Sequence, residues 1–248
     1  MARVSGTIHL VSATLFVASG AVLATRARPE AEIAAPAAGD LAPYAMIGPS
    51  DALPGATLSD LYLHPQNIVM WLLVVALWLL VLVDAVGQYL DPAPKGRDPV
   101  WPPLSLALVT GAIWPWLSGV STTAALIGAA LMLAASLTAA IRAKGQRRPG
   151  PGFLAGWSLT LVTAALATLA ALPFGLSTSQ TAIVAILPGA LIGMFAQEWM
   201  GRSIAFAGAM IWAFCAVAVT TMGSSPGVAL AAILGISAMG VVLVRAAT

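Results

Sequence analysis

Charge is what this sequence has least of. Asp, Glu, Lys and Arg make up 8% of its 248 residues, against about 25% in soluble chains, which excludes a soluble globular domain. A single cysteine, Cys215, excludes an internal disulfide scaffold. With 11 basic residues and a net charge of +2, the chain also lacks the basic surface that nucleic acid binding needs. Gly at 23 and Pro at 17 fall short of a collagenous or disordered composition. What the sequence does have is apolar residues: 60% are hydrophobic and the mean hydropathy is +0.94. That balance describes an all-α polytopic membrane helix bundle in a lipid bilayer.

A spanning helix needs about 20 largely apolar residues. Runs of that kind predict eight transmembrane helices, near 7–25, 66–90, 102–117, 121–142, 152–172, 179–199, 203–222 and 226–245. Turn residues separate them: Pro92-Ala93-Pro94, Gly145 to Gly152, Gly175-Leu176-Ser177 and Gly223-Ser224-Ser225-Pro226. The third run is short and holds Pro115, which predicts a bend or a place inside the bundle. Arg3, the apolar stretch after it and the small residues Ala21 to Ala24 have the look of a secretory signal. We read the segment as a true span.

Eight spans place Arg3, Lys95, Arg97, Arg142, Lys144, Arg147, Arg148, Arg202 and Arg245 on one side, and Arg26 and Arg28 on the other. By the positive-inside rule the nine-to-two split puts both termini in the cytoplasm. The loop 26–65 then lies outside. Its length is typical of a lid, a binding element or a disordered linker, and Asp51-Ala52-Leu53-Pro54 and Asp60-Leu61-Tyr62-Leu63 read as short helical turns on the membrane surface.

Ionisable residues inside a membrane are the first place to look for function. Asp84 is the clearest, near the cytoplasmic end of the second span beside Gln88. It could bind a cation or relay a proton, but snorkelling to the interface or pairing with Arg97 or Lys95 is the plainer expectation. Glu198 and Arg202 are spaced for a local ion pair. His9 and His64 belong to opposite faces and cannot ligate one metal together, and no His/Cys cluster forms a metal site. Cys215 reads as a small buried hydrophobe. No nucleophile–base pair supports an enzyme.

The small-residue spacings Gly152-x-x-x-Gly156 and Gly189-x-x-x-Gly193 put two glycines on one helix face and predict close helix packing. Pro188 adds a kink, and that late region could equally dock another protein's helix. The basic cluster Arg142, Lys144, Arg147 and Arg148 is a topology signal that also suits anionic headgroups.

Two blocks carry a family resemblance. Val109-Thr110-Gly111-Ala112-Ile113-Trp114-Pro115-Trp116 resembles the L-N-x-x-W-x-P signature of the translocator protein (tryptophan-rich sensory protein, TspO) family. Gly152-Phe153-Leu154-Ala155-Gly156-Trp157-Ser158-Leu159 resembles its later P-Y-x-x-W helix, and Trp71 to Leu90, ending in Tyr89-Leu90, is similar to its second helix. Gly111, Phe153-Leu154 and Ala165 stand where the family usually has Asn, the Pro-Tyr pair and a further Asn. The resemblance covers roughly residues 1–172, with three additional transmembrane helices over 173–248 as in longer bacterial relatives.

The resemblance implies a sensory or regulatory protein of the bacterial inner membrane, without catalytic residues. Its cavity, covered from outside, would bind a flat hydrophobic ligand of the porphyrin type. Trp114, Pro115, Trp116 and Trp157 are the implied ligand-binding residues, since indole faces suit flat π-systems. Membrane-interface belts are the other reading of these tryptophans. The alternative function is a non-catalytic accessory or assembly subunit of a photosynthetic or respiratory membrane complex. Its partners would be other membrane proteins or copies of itself.

Overall fold

A computed structural model of the chain describes residues 2–26, 57–91, 98–201 and 203–247. They form α1 (Ala2–Thr25), α2 (Leu58–Leu63), α3 (Ile68–Leu90), α4 (Trp101–Ser118), α5 (Thr122–Arg142), α6 (Pro149–Phe174), α7 (Thr178–Met200), α8 (Ile204–Thr221) and α9 (Pro226–Ala247). No strand occurs among the described residues. Eight of these helices match the eight expected spans. Seven of the eight are long and apolar enough to cross a membrane, so the chain is a multi-pass membrane protein. The eighth, α4, is diluted by three Trp and three Pro, yet it packs along both α1 and α5.

Local chemistry sets the helix boundaries. Asn67 and Ser121 accept hydrogen bonds from the backbone N–H groups of Met70 and Ala124 and so open α3 and α5. Ser177 and Gln180 close a reciprocal capping box at α7, and Thr57 and Asp60 do the same at α2. Gly175, at φ +59°, ends α6 in the left-handed conformation that glycine adopts without strain. Pro115 does not break α4, which runs on as one helix to Ser118.

Glycine decides how closely α6 meets its neighbours. A Cβ on Gly156 would lie 2.5 Å from the Phe206 carbonyl oxygen and 3.0 Å from the Ala209 Cβ, and one on Gly152 would lie 2.6 Å from Ser203 Oγ. These two positions therefore seat α6 on α8. Gly189 faces Thr163 of α6, while Gly193 faces Met210 of α8 and Met239 of α9. Both late glycines are used within the chain. The central helix α6 is flanked by α3 and α5 as well as by α7 and α8. Residues 2–172 and 173–247 thus share one apolar core.

Of the loop 26–65 only Arg26 and residues 57–65 are described, so the expected turn at Asp51 lies outside the described residues. The turn at Asp60 to Leu63 is α2. It packs on the protein itself: Leu58, Leu61, Tyr62 and Leu63 are buried, with α2 against α6 and α1. A row of four apolar groups in six residues gains more from burial than from a surface position.

Candidate functional site

Among the described residues polar side chains interrupt the apolar core in several places, and two groups of them bear on function. The first joins four elements. His9 of α1 is fully buried, and Asp84 and Gln88 of α3 and Ser105 of α4 are nearly so. Arg148, at the N-terminus of α6, sends Nε to Asp84 Oδ1 (2.8 Å), Nη2 to Oδ2 (2.7 Å) and Nη1 to Gln88 Oε1 (3.1 Å). This bidentate geometry is the strong form of an arginine–carboxylate pair. His9 Nε2 lies 3.3 Å from Asp84 Oδ2, and its Nδ1 lies 3.0 Å from Ser105 Oγ. An ionised carboxylate only accepts, so Nε2 carries the proton and, in neutral His9, Nδ1 accepts from the serine hydroxyl.

Glycines make this convergence possible. A Cβ on Gly150 would meet the Leu80 carbonyl oxygen at 3.0 Å and the Asp84 Cβ at 3.2 Å. One on Gly6 would meet the Tyr89 Cα at 3.1 Å. The two glycines bring the starts of α6 and α1 onto the end of α3, within reach of Asp84.

The cluster borders two cavities. The first, about 420 Å³, is lined by Asp84, Gln88, Asp91, Gln146, Arg147 and Arg148, among others. The second, about 600 Å³, shares Gln146 to Pro149 and extends to Lys144, Met200 and Ser203. Both lie at the end of the bundle where the basic residues gather.

The second polar group is deeper and unsatisfied. The Tyr62 hydroxyl and the Trp157 indole N–H are buried and make no hydrogen bond. Trp157 stands edge-on to Phe16 of α1, with ring centroids 6.1 Å apart. Thr160 neighbours the Tyr62 hydroxyl without closing a bond of good geometry, and it donates instead to the Trp157 carbonyl oxygen (2.7 Å). Burial pushes the Tyr62 hydroxyl well above its ordinary pKa, outweighing the opposing effect of Thr160. Neither of the two cavities reaches Tyr62 or Trp157.

The four expected ligand-binding residues divide. Trp114 is fully buried, and its N–H donates to the Ala125 carbonyl oxygen (2.9 Å), joining α4 to α5. Pro115 is buried beside it. Trp116 is 44% exposed; its N–H donates to Ser19 Oγ (3.0 Å), and Arg26 sits 4.7 Å over its ring. Only Trp157 keeps an uncommitted polar hydrogen inside the core.

Other expectations resolve as follows. Asp84 pairs with Arg148 and His9, whereas Lys95 and Arg97 lie outside the described residues. Arg202 lies outside them too, so the Glu198 pair is not described. Among the described residues no group of three or more His, Cys, Asp or Glu could hold a metal ion. Cys215 is only partly buried. Tyr62 carried no functional expectation, and Arg148 was expected only as part of the basic cluster that marks topology and suits anionic headgroups, not as the partner of Asp84. Comparison with protein families, curated proteins and solved structures finds no match.

Proposed function

We propose that this chain is a non-catalytic binding protein of the sensory or regulatory kind. Its ligand is a flat hydrophobic molecule that carries hydrogen-bond acceptors, a porphyrin-type ring being the best representative. The site lies beneath α2, between α1 and α6, with the Tyr62 hydroxyl and the Trp157 N–H as its two donors. One observation carries this reading: two polar hydrogens, those of the Tyr62 hydroxyl and the Trp157 indole, are buried without partners, His64 Nδ1 and Gln197 Oε1 being the other buried polar atoms so left among the described residues. Each such group costs about 1–3 kcal/mol, and an acceptor on a ligand would recover that cost. The edge-on Phe16–Trp157 pair supplies aromatic surface beside them. The likeness of residues 109–116 and 152–159 to the translocator protein family supports the same reading.

In this account α2 is the lid, and the ligand enters when it lifts. The basic end of the bundle faces the cytoplasm of a bacterial inner membrane by the positive-inside rule, so both termini are cytoplasmic and α2 approaches from outside.

The test is titration of the purified protein with a porphyrin, read by tryptophan fluorescence quenching. Parent protein should quench saturably. Tyr62→Phe keeps the phenyl ring and Trp157→Phe keeps an aromatic ring, each removes one donor, and each should weaken binding roughly 5- to 160-fold. Trp199→Phe, at a residue 78% exposed, should bind like the parent. Absent saturation, or equal binding by all four proteins, overturns the reading.

A further inference from the structure

The larger cavity differs from its neighbour in charge. Among the described residues that line it, Lys144, Arg147 and Arg148 are basic and none is acidic. The smaller one contains Asp84 and Asp91. Gln146, Arg147, Arg148 and Pro149 form the shared wall, and of its two guanidinium groups that of Arg148 is already paired with Asp84. Lys144 and Arg147 are both exposed. Lys144 reaches across to the C-terminal turn of α7, where its Nζ lies 3.5 Å from the Trp199 carbonyl oxygen. That is a long contact to a neutral acceptor and leaves the charge uncompensated. Arg147 makes no ion pair with any described residue.

The remaining wall is apolar: Ala140 and Ala143 of α5 and its C-cap, Met200 of α7, and Ile204 and Ala205 of α8. Ser203 adds a hydroxyl, and α8 begins there without a side-chain cap, so its positive end also borders the space. Two uncompensated cations over an apolar wall, at the end of a membrane bundle, match a molecule with an anionic phosphate head and a hydrocarbon body. A space of about 600 Å³ is large enough for a phosphoglycerol group.

We propose that this cavity binds the phosphate headgroup of an anionic phospholipid, with Lys144 and Arg147 as the phosphate-contacting residues. The same chemistry would accept free phosphate, but the apolar wall favours the lipid. Neither Tyr62 nor Trp157 lines this site, which does not depend on the porphyrin reading.

The full-length protein, stripped of lipid in neutral detergent, would be titrated with phosphatidylglycerol, with phosphatidylcholine and with inorganic phosphate, each read by native mass spectrometry and by thermal shift. Phosphatidylglycerol should bind saturably and raise the melting temperature, and phosphatidylcholine should do neither. Inorganic phosphate that binds as tightly as phosphatidylglycerol would overturn the lipid assignment. Lys144→Gln and Arg147→Gln should each weaken phosphatidylglycerol binding about fivefold, and the double variant between tenfold and thirtyfold. Both side chains are exposed, so the variants should fold like the parent. Arg26→Gln, at the other end, should leave binding unchanged. Equal binding of the two lipids, or a double variant that binds like the parent, overturns the proposal.

Discussion

Asp84 receives two hydrogen bonds from one guanidinium and a third contact from His9, all where water is scarce. Removing one partner leaves a buried charge, while removing both leaves none. Arg148→Met should therefore destabilise the bundle by about 3 kcal/mol, the low end of the usual range because the arginine is partly exposed. The double variant Asp84→Leu/Arg148→Met should recover most of that loss. Unfolding of the detergent-solubilised protein measures both, and a single variant as stable as the parent would show that the pair is not coupled to folding. Tyr62 behaves in the opposite sense. Its hydroxyl is buried without a partner, so Tyr62→Phe should leave the ligand-free protein as stable or up to about 2 kcal/mol more stable. Because its pKa is raised on folding, its contribution is complete below pH 10 and is lost only as pH climbs further. Alkaline unfolding in the Tyr62→Phe variant should accordingly shift to higher pH.

At the scale of elements, the seam between α6 and α8 is the most constrained contact. No leucine fits at Gly156, because the first added carbon already meets backbone at 2.5 Å. Gly156→Leu should cost about 3 kcal/mol or more, beyond the usual penalty of an overfilled core. Gly208 of α8 has open space around it, and Gly208→Ala should cost nothing measurable. Equal melting temperatures for Gly156→Leu and the parent would mean that the two helices part without loss. For α2, the capping box of Thr57 and Asp60 holds six residues in a helix too short to persist alone. Its buried leucines then anchor it against α6.

For the whole molecule, helix contacts fix which loops share an end, and the basic residues mark one of those ends. Arg148 on Asp84 and Lys144 near Trp199 join the starts of α1, α6 and α8 with the ends of α3, α5 and α7. Asn67 donates to Thr220 Oγ1 at the opposite end (2.6 Å). If the basic end is cytoplasmic, single cysteines in a Cys215→Ala background should label from opposite sides. An impermeant thiol reagent added to intact cells should reach Val120→Cys and miss Asp98→Cys. The reverse pattern would invert the topology.

The membrane class, the eight apolar runs, their turns and the crowding of charge at one end follow from the sequence alone. Each depends on local composition, and the cost of placing polar backbone or charge in hydrocarbon is paid residue by residue. The small-residue faces at Gly152, Gly156, Gly189 and Gly193 were legible for the same reason, since spacing sets which side chains share a helix face. Tertiary structure alone decided the partners. His9, Asp84 and Arg148 could be assigned to one depth, but which of several basic residues meets Asp84 depends on the order and rotation of the helices. Those are set by shape at Gly6 and Gly150, which hydropathy does not encode. Likewise the apolar content of Leu61-Tyr62-Leu63 is visible in the sequence, but its burial against α6 depends on a groove built by helices far along the chain. The same holds for the tryptophans. Trp114, Trp116 and Trp157 look alike in sequence, and only their neighbours commit two of the three N–H groups to the protein and leave the third free.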